Sequence, residues 1–445
     1  MADAPLAVLL LAAGKGTRAK VSLPKVLLPL CGGTLLDYAL DAAGGLEPHH
    51  VVTVVHHGME QITKRLGERF EEEGIIVVDQ GEPLGTGHAV QRALDGLDRK
   101  LGHEFEGNVL VLYGDTPLIT RDSLLDVVET LELPPEPGTR SGQNGNPKGS
   151  IVASLLTCQE MAQEGLGRIL RDQHGCFVAI REERDCSDEE LEIQEVNTGI
   201  CAFRSSALRQ ALPSLKSDNT QGEYYLTDVF GWLVAEGENV EAVPTFDPDE
   251  VLGINDLDQL AHARWVMQDR LLLSHLLNGV LIEDPATTVI ERDVQIGAET
   301  TILPFVVIRN GARIGRGCEV GPFTHLRVGA QLEDGAEVGN FVEMKNSTLG
   351  SGSKAKHLTY LGDTVIGKKT NIGAGTITAN YDGTAKHKTG IGDGVFIGSG
   401  SVLIAPMTVG DRASTGAGAI VTKDVPEGEV WIGVPARKLR DKEGT

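Results

Sequence analysis

Short aliphatic runs recur through the first half of the chain: Ala7–Ala13, Val51–Val55, Ile75–Val78, Val109–Tyr113 and Ile151–Leu156. Each has the length and composition of a buried strand. Between them lie stretches whose apolar residues recur at helical spacing: Leu35–Ala43, Met59–Phe70, Gly87–Leu97 and Ser123–Leu131. Strands alternating with helices predict an α/β domain with a mostly parallel sheet.

The second half follows a different rhythm. Stepping by six from Ile296 meets Ile302, Ile308, Ile314, Val320, Leu326, Leu332, Val338 and Met344. The step returns at Ile366 and Ile372, then at Ile391, Ile397, Leu403 and Val409. Glycine often follows, as at Gly297, Gly315, Gly321, Gly339, Gly367, Gly373, Gly392, Gly398 and Gly410. A helical or heptad period would fall out of phase within two steps. This is a hexapeptide repeat, and it predicts a parallel β-helix with one aliphatic per short strand turned inward. The repeat breaks at 378–388 (TANYDGTAKHK), which reads as an inserted loop.

Between the halves, 256–280 has helical spacing at Leu257, Leu260, Ala261, Trp265, Leu271, Leu272 and Leu276. Asp256 suits the N-cap and Gly279 the stop, so the stretch reads as a linker helix. The expected organisation is a domain over 1–255, the helix over 256–280 and the β-helix over 281–445. Residues 134–150, rich in Pro, Gly and Asn, read as a surface loop.

Composition narrows the function. The 445 residues are 41% hydrophobic but only 4% aromatic, with 55 glycines. Formal net charge is −23, which argues against general nucleic-acid or membrane-surface binding. An anionic substrate therefore needs a local basic patch. The cysteines Cys31, Cys158, Cys176, Cys186, Cys201 and Cys318 show no metal or disulfide spacing. Reduced thiols in a cytoplasmic enzyme are the simplest reading. The opening apolar run has its charges, Lys15, Arg18 and Lys20, after it rather than before, the wrong polarity for a secretory signal. No stretch of about 18 apolar residues suggests a membrane span.

LLLAAGKGTR, Leu9 to Arg18, joins a strand to two glycines and two cations. Backbone N–H groups of such a loop, with Lys15 and Arg18, can hold a phosphate. A strand and a plain turn would look the same. Asp115, in Tyr113-Gly114-Asp115, follows another strand, where α/β sheets bind ligands and a carboxylate can hold Mg²⁺. Alone it could equally cap a turn. From Lys345 to Lys388 come seven lysines (Lys345, Lys354, Lys356, Lys368, Lys369, Lys386, Lys388) against Asp363 and Asp382. Either a solvated face or an anion site fits. His357 lies among them and can take a proton near neutral pH, or serve structure alone.

The motifs occur in a telling order: LAAGKGTR, LPK at Leu23–Lys25, Gln80 with LGTGHA, YGD, NTG at Asn197–Gly199, QGEYYLTD at Gln221–Asp228, then NFVEMKNS, HLTYLGD and NIGAGTITANYDG. Over nearly the whole chain this resembles the bacterial bifunctional UDP-N-acetylglucosamine pyrophosphorylases and glucosamine-1-phosphate N-acetyltransferases. The resemblance implies a Rossmann-like nucleotidyltransferase domain, a linker helix and a left-handed parallel β-helix. It implies that Leu11, Ala12, Ala13, Gly14, Tyr113 and Gly114 line the nucleotide site, with Arg18 and Lys25 neutralising phosphate. Gln80, Gly85 and Thr86 would read uracil. Asp115 and Asn255 would hold Mg²⁺, and Gly167, Glu182 and Asn197 would contact N-acetylglucosamine. In the second half, His357 would be the base, and Arg327, Lys345, Tyr360 and Asn371 would hold glucosamine 1-phosphate. Ala374, Asn380, Tyr381, Ser399 and Ala417 would lie near acetyl-CoA. A cytoplasmic homotrimer is implied.

Two departures stand out. The repeat segment before Arg327 reads about two coils shorter than the family's, taking about three hexapeptides per coil. Gly433 replaces the arginine that the family places before Val-Pro, with Arg437 nearby. A nucleotidyltransferase whose β-helix only oligomerises, and a sugar-nucleotide sensor, remain alternatives.

Overall fold

The computed structural model describes residues 4–14, 16–133, 150–159 and 165–433. The 134–150 loop, apart from Ser150, lies outside them, as do Lys15 and Arg437. The chain divides into two compact units, Met1–Val266 and Met267–Thr445.

The first unit is built on one mixed sheet. Its strands are β1 (Leu6–Leu11), β4 (His50–Val55), β5 (Ile76–Asp79), β6 (Asn108–Tyr113), β7 (Ile151–Cys158), β8 (Arg168–Arg171), β9 (Phe177–Arg181), β10 (Val196–Arg204) and β11 (Asn239–Thr245); β2 (Pro29–Leu30) and β3 (Gly33–Thr34) form a separate small hairpin. The sheet order is β11-β7-β10-β6-β1-β4-β5, with β8 beside β10 and β9. Strands β1, β4, β5 and β6 pair in parallel. β10 runs antiparallel to both β6 and β7, the departure from a purely parallel sheet. Its preceding connection is the antiparallel pair β8–β9, not a crossover helix, so it can enter the sheet in reverse.

The helices are α1 (Leu35–Gly44), α2 (Met59–Glu72), α3 (Thr86–Leu101), α4 (Arg121–Thr130), α5 (Asp188–Leu191), α6 (Ser205–Ala211) and α7 (Asp228–Ala235). Two apolar layers flank the sheet, because alternate residues of β1 go to opposite faces. Ala7, Leu9 and Leu11 join one layer, and Leu6, Val8 and Leu10 the other. Between β1 and β6 the strand order reverses. A crevice at the strands' carboxyl ends follows from that reversal.

Helix α8 (Leu257–Leu277) spans the division between the units. The Asp256 carboxylate accepts the Gln259 N–H at 2.9 Å, and Gly279 follows at φ +83°. Both ends behave as the sequence predicts.

The second unit is a left-handed parallel β-helix of three sheets, with nine, eight and seven strands among the described residues. Ile302, Val320 and Val338 stack in one column, and Ile308, Leu326 and Met344 in the next. All six are buried. After Met344 the register slips by one residue. Val338 pairs with Ala355 and Met344 with Leu361, so the inward positions become Leu349, Ala355 and Leu361. Two turns, one before Leu349 and one before Ile366, are each one residue shorter, which explains why the six-step pattern lapses before Ile366. The longer step from Ile372 to Ile397 accommodates the predicted insertion, where Tyr381 bridges Lys386. Buried hydroxyls tie coils together: Thr300 donates to the Gly315 carbonyl (2.8 Å), Thr324 to that of Gly339 (2.7 Å) and Ser353 to that of Gly367 (2.7 Å). Those bonds satisfy carbonyls that an aliphatic corner would leave unpaired.

Candidate active sites

In the first unit the three parallel strand ends are knitted by two bonds. Ala12 N–H donates to the Val54 carbonyl (2.8 Å), and Gly114 N–H to that of Leu11 (2.9 Å). Leu11, Ala12 and Ala13 are buried, and Gly14 is exposed. Gly16 has φ +60°, and a Cβ there would lie 2.6 Å from the Lys25 Cβ. Only glycine lets the lysine stem pass.

Lys25 Nζ reaches the Asp115 carboxylate and, at 3.0 Å, Asn255 Oδ1. Ile254 N–H donates to the Asp115 carbonyl (2.9 Å), which brings Asn255 alongside. Three distant segments thus converge on one ammonium. The two oxygens fit a hard cation such as Mg²⁺, which takes few protein ligands and completes its shell with water and phosphate. Among the described residues no group of three or more His, Cys, Asp or Glu gathers as a metal site by itself. Arg18 is exposed and makes no ion pair among the described residues.

Gln80 is buried at the end of β5, with Nε2 donating to the Gly85 carbonyl at 3.1 Å. The Thr86 hydroxyl accepts the Leu226 N–H (3.0 Å), so it serves the 221–228 segment. Beyond, the Gly167 carbonyl accepts the Asn197 N–H (2.8 Å), and Asn197 Oδ1 accepts the Gly199 N–H (3.0 Å). Glu182 accepts the Thr227 hydroxyl at 2.8 Å. Burial pushes the Glu182 carboxyl above its ordinary range, and Asp228 and Asp185 push the same way. Burial likewise raises the Tyr113 phenol, whose ring packs where a Gly199 Cβ would stand. The sequence reading missed Thr227, although it lies inside the quoted QGEYYLTD motif.

In the β-helix, one corner changes character partway along. Phe305, Phe323, Phe341 and Leu358 occupy it in successive coils, all at positive φ. The rings of Phe305 and Phe323 stack at 4.8 Å, and those of Phe323 and Phe341 at 5.3 Å. Then the corner carries Gly375, Gly400 and Gly418, also at positive φ. Their N–H groups donate to the carbonyls of His357 (3.3 Å), Ala374 (2.7 Å) and Ser399 (2.8 Å). His357, Ala374, Ser399 and Ala417 therefore form one column, and the corner beside it is free of side chains from Gly375, one coil after the histidine. Its imidazole is exposed and has no hydrogen-bond partner among the described residues.

The lysine patch needs correcting. Lys354 pairs with Glu337 (2.8 Å), and Lys356 with Glu319 (2.6 Å) and Glu337 (2.8 Å). These acids come from earlier coils, which a count over Lys345–Lys388 could not include. Lys356 is thus turned to carboxylates. Of the lysines that remain, Lys345 and Lys386 stand together, with Arg327 close enough to join them. The Lys386 ammonium beside Lys345 depresses the latter's pKa, and Arg327 adds to it. Ammoniums packed this closely suit a phosphate. The sequence marks Lys386 only as one lysine of the patch. Arg327 also binds Glu343 (2.7 Å). Tyr360 precedes the inward Leu361 in the eight-stranded sheet, and Asn371 precedes the inward Ile372 in the nine-stranded sheet. Asn380 is buried and gives its amide to Asp363. Burial pushes the Asp363 carboxyl up, but the amides of Asn346 and Asn380 outweigh it and hold it low. The exposed Tyr381 donates to the Gly383 carbonyl at 2.6 Å.

Residues 8–222 match the MobA-like NTP transferase domain. Residues 287–327 match the bacterial transferase hexapeptide (six repeats), and 388–423 the hexapeptide repeat of succinyl-transferase. The bifunctional protein GlmU of Trichlorobacter lovleyi is 43% identical over 460 residues, spanning 96% of this chain and 95% of the relative. The chain belongs to the bifunctional GlmU family. The GlmU protein of Pseudarthrobacter chlorophenolicus is 40% identical, covering 99% of this chain and 92% of its own. That of Xanthomonas axonopodis pv. citri is 40% identical, covering 96% and 95%. As a GlmU-family enzyme the chain combines a uridylyltransferase with a glucosamine-1-phosphate acetyltransferase. Among the described residues no helix is long and apolar enough to cross a membrane.

Proposed function

We propose that the chain makes UDP-N-acetylglucosamine, a precursor of cell-wall polymers, in two steps at separate sites. In the β-helix, His357 takes a proton from the amine of glucosamine 1-phosphate. The amine attacks the acetyl-CoA thioester, the C–S bond breaks, and coenzyme A leaves as its thiol with a proton. Arg327, Lys345 and Lys386 hold the sugar phosphate, with Tyr360 and Asn371 beside the sugar. The pantetheine arm follows the glycine corner past Ala374, Ser399 and Ala417, and the Asn380–Tyr381 loop flanks it. The observation that carries this reading is the switch of one corner from Phe305, Phe323, Phe341 and Leu358 to Gly375, Gly400 and Gly418 in the coils that follow His357.

In the first unit the sugar 1-phosphate attacks the α-phosphorus of UTP, and pyrophosphate leaves. Mg²⁺, held by Asp115 and Asn255, would supply charge neutralisation on the phosphates. Lys25 and Arg18 position and neutralise the phosphate oxygens; Gln80, Gly85 and Thr86 hold the uracil, and Gly167, Glu182 and Asn197 the acetamido sugar. Catalysis here rests on positioning and electrostatics. The domains run over 1–255 and 281–445, joined by the 256–280 helix. We place the enzyme in the cytoplasm, where its nucleotide substrates are, as a homotrimer. Product analysis with both substrate sets tests the reading: acetylation without uridylyl transfer, or the reverse, would overturn it. Light scattering showing an active monomer would overturn the trimer.

A further inference from the structure

The end of β5 carries an arrangement separate from the phosphate group. Asp79 closes that strand, and its Oδ1 accepts the Gly81 N–H at 2.9 Å. The same oxygen lies 3.2 Å from His56 Nδ1. An ionised carboxylate only accepts, so the imidazole donates. Gln80 sits between these anchors. Its own N–H donates to the Val55 carbonyl at 2.8 Å, one residue before His56. One carboxylate thus ties the turn after β5 to the turn after β4, with Gln80 enclosed.

Neighbouring groups brace the pair. Arg92 Nη2 donates to the Asp79 carbonyl (3.4 Å), and the His57 ring meets His56 edge-on at 4.6 Å. A Cβ on Gly58 would lie 2.3 Å from the Pro24 Cγ, so this turn leans on the residue before Lys25. The Gly81 N–H, and then His56, hold the Asp79 carboxyl below its ordinary range. The Asp79 side chain is 53% exposed, so the pair's value lies in geometry more than in stability.

We propose that Asp79 and His56 are positioning residues that hold Gln80 in register for choosing uracil over cytosine. The proposal rests on Gln80 reading the base. Gln80 Nε2 is committed to the Gly85 carbonyl, which leaves Oε1 as the acceptor. Uracil offers a donor at N3 where cytosine offers an acceptor. An amide that cannot turn over therefore favours uracil, and one that can turn over favours neither.

The test is steady-state uridylyl transfer with UTP and with CTP. Asp79→Ala should raise KM for UTP about 3–10-fold, the worth of one lost hydrogen bond, with kcat little changed. The preference for UTP over CTP should fall by a similar factor. His56→Ala should shift both in the same direction. Asp79→Asn keeps an acceptor for the Gly81 N–H and should recover most of the wild-type preference, which a general loss of stability would not produce. Unchanged preference in Asp79→Ala, while Gln80→Ala loses it, would overturn the positioning pair and leave the base-reading intact. Unchanged preference in Gln80→Ala would overturn both.

Discussion

His357 and Glu182 show how a single side chain's surroundings set its task. His357 stands exposed with no hydrogen-bond partner among the described residues, at the head of the glycine corner. Removing a general base typically costs about 10²–10⁴-fold in rate. His357→Ala should therefore lower acetyl-transfer kcat by about that factor, with little change in KM for glucosamine 1-phosphate. A kcat close to wild type would make the histidine structural. Glu182 illustrates the opposite setting. Burial raises its pKa, so the folded chain holds this proton more tightly than the unfolded chain does. The resulting stability is present below the ordinary glutamate range and is lost as pH rises through that range to the raised value. Glu182→Gln stays neutral, so its thermal midpoint should gain on wild type as pH rises from below the ordinary glutamate range to above it. A difference that stays flat with pH would contradict the shift. The same variant should raise KM for N-acetylglucosamine 1-phosphate.

At the scale of elements, the β-helix corner acts as a unit. Phe341 and Leu358 adopt positive φ although each carries a side chain, at a cost of about 1–2 kcal/mol per residue. The fold bears that cost where the corner is filled. Gly400→Leu should be borne similarly, so the protein should fold, but its side chain would enter the groove. KM for acetyl-CoA should rise about tenfold or more, a loss of at least about 1.4 kcal/mol. An unchanged KM would place the coenzyme elsewhere. The six-residue step made the inward columns legible, because each short strand buries one aliphatic. It could not show the one-residue slip after Met344, since Leu349, Ala355 and Leu361 carry no marker of their own. Nor could it align Gly400 and Gly418 with Gly375, because the 378–388 insertion lengthens the coil between Gly375 and Gly400.

For the whole molecule, the two chemistries should separate. The Lys25–Asp115–Asn255 group belongs to the first unit and the His357 column to the second. Asp115→Ala should abolish uridylyl transfer, measured in the pyrophosphorolysis direction, and leave acetyl transfer near wild type. Wild-type pyrophosphorolysis would remove Asp115 from the site. Much of this architecture was written locally. Strand and helix positions, the linker helix with its Asp256 cap, and the repeat all follow from spacing, because burial of one face imposes a period. The motif order was enough to imply both activities. What the sequence could not decide was which charges meet. Glu319 and Glu337 lie far from Lys356 along the chain but one or two coils away in space, so they neutralise a lysine that local counting left free. Asn255 reaches Lys25 because the segment after β11 returns to the residues beyond β6, where the Ile254 N–H meets the Asp115 carbonyl. Long-range pairings of this kind carry no sequence period, so only the tertiary structure selects them.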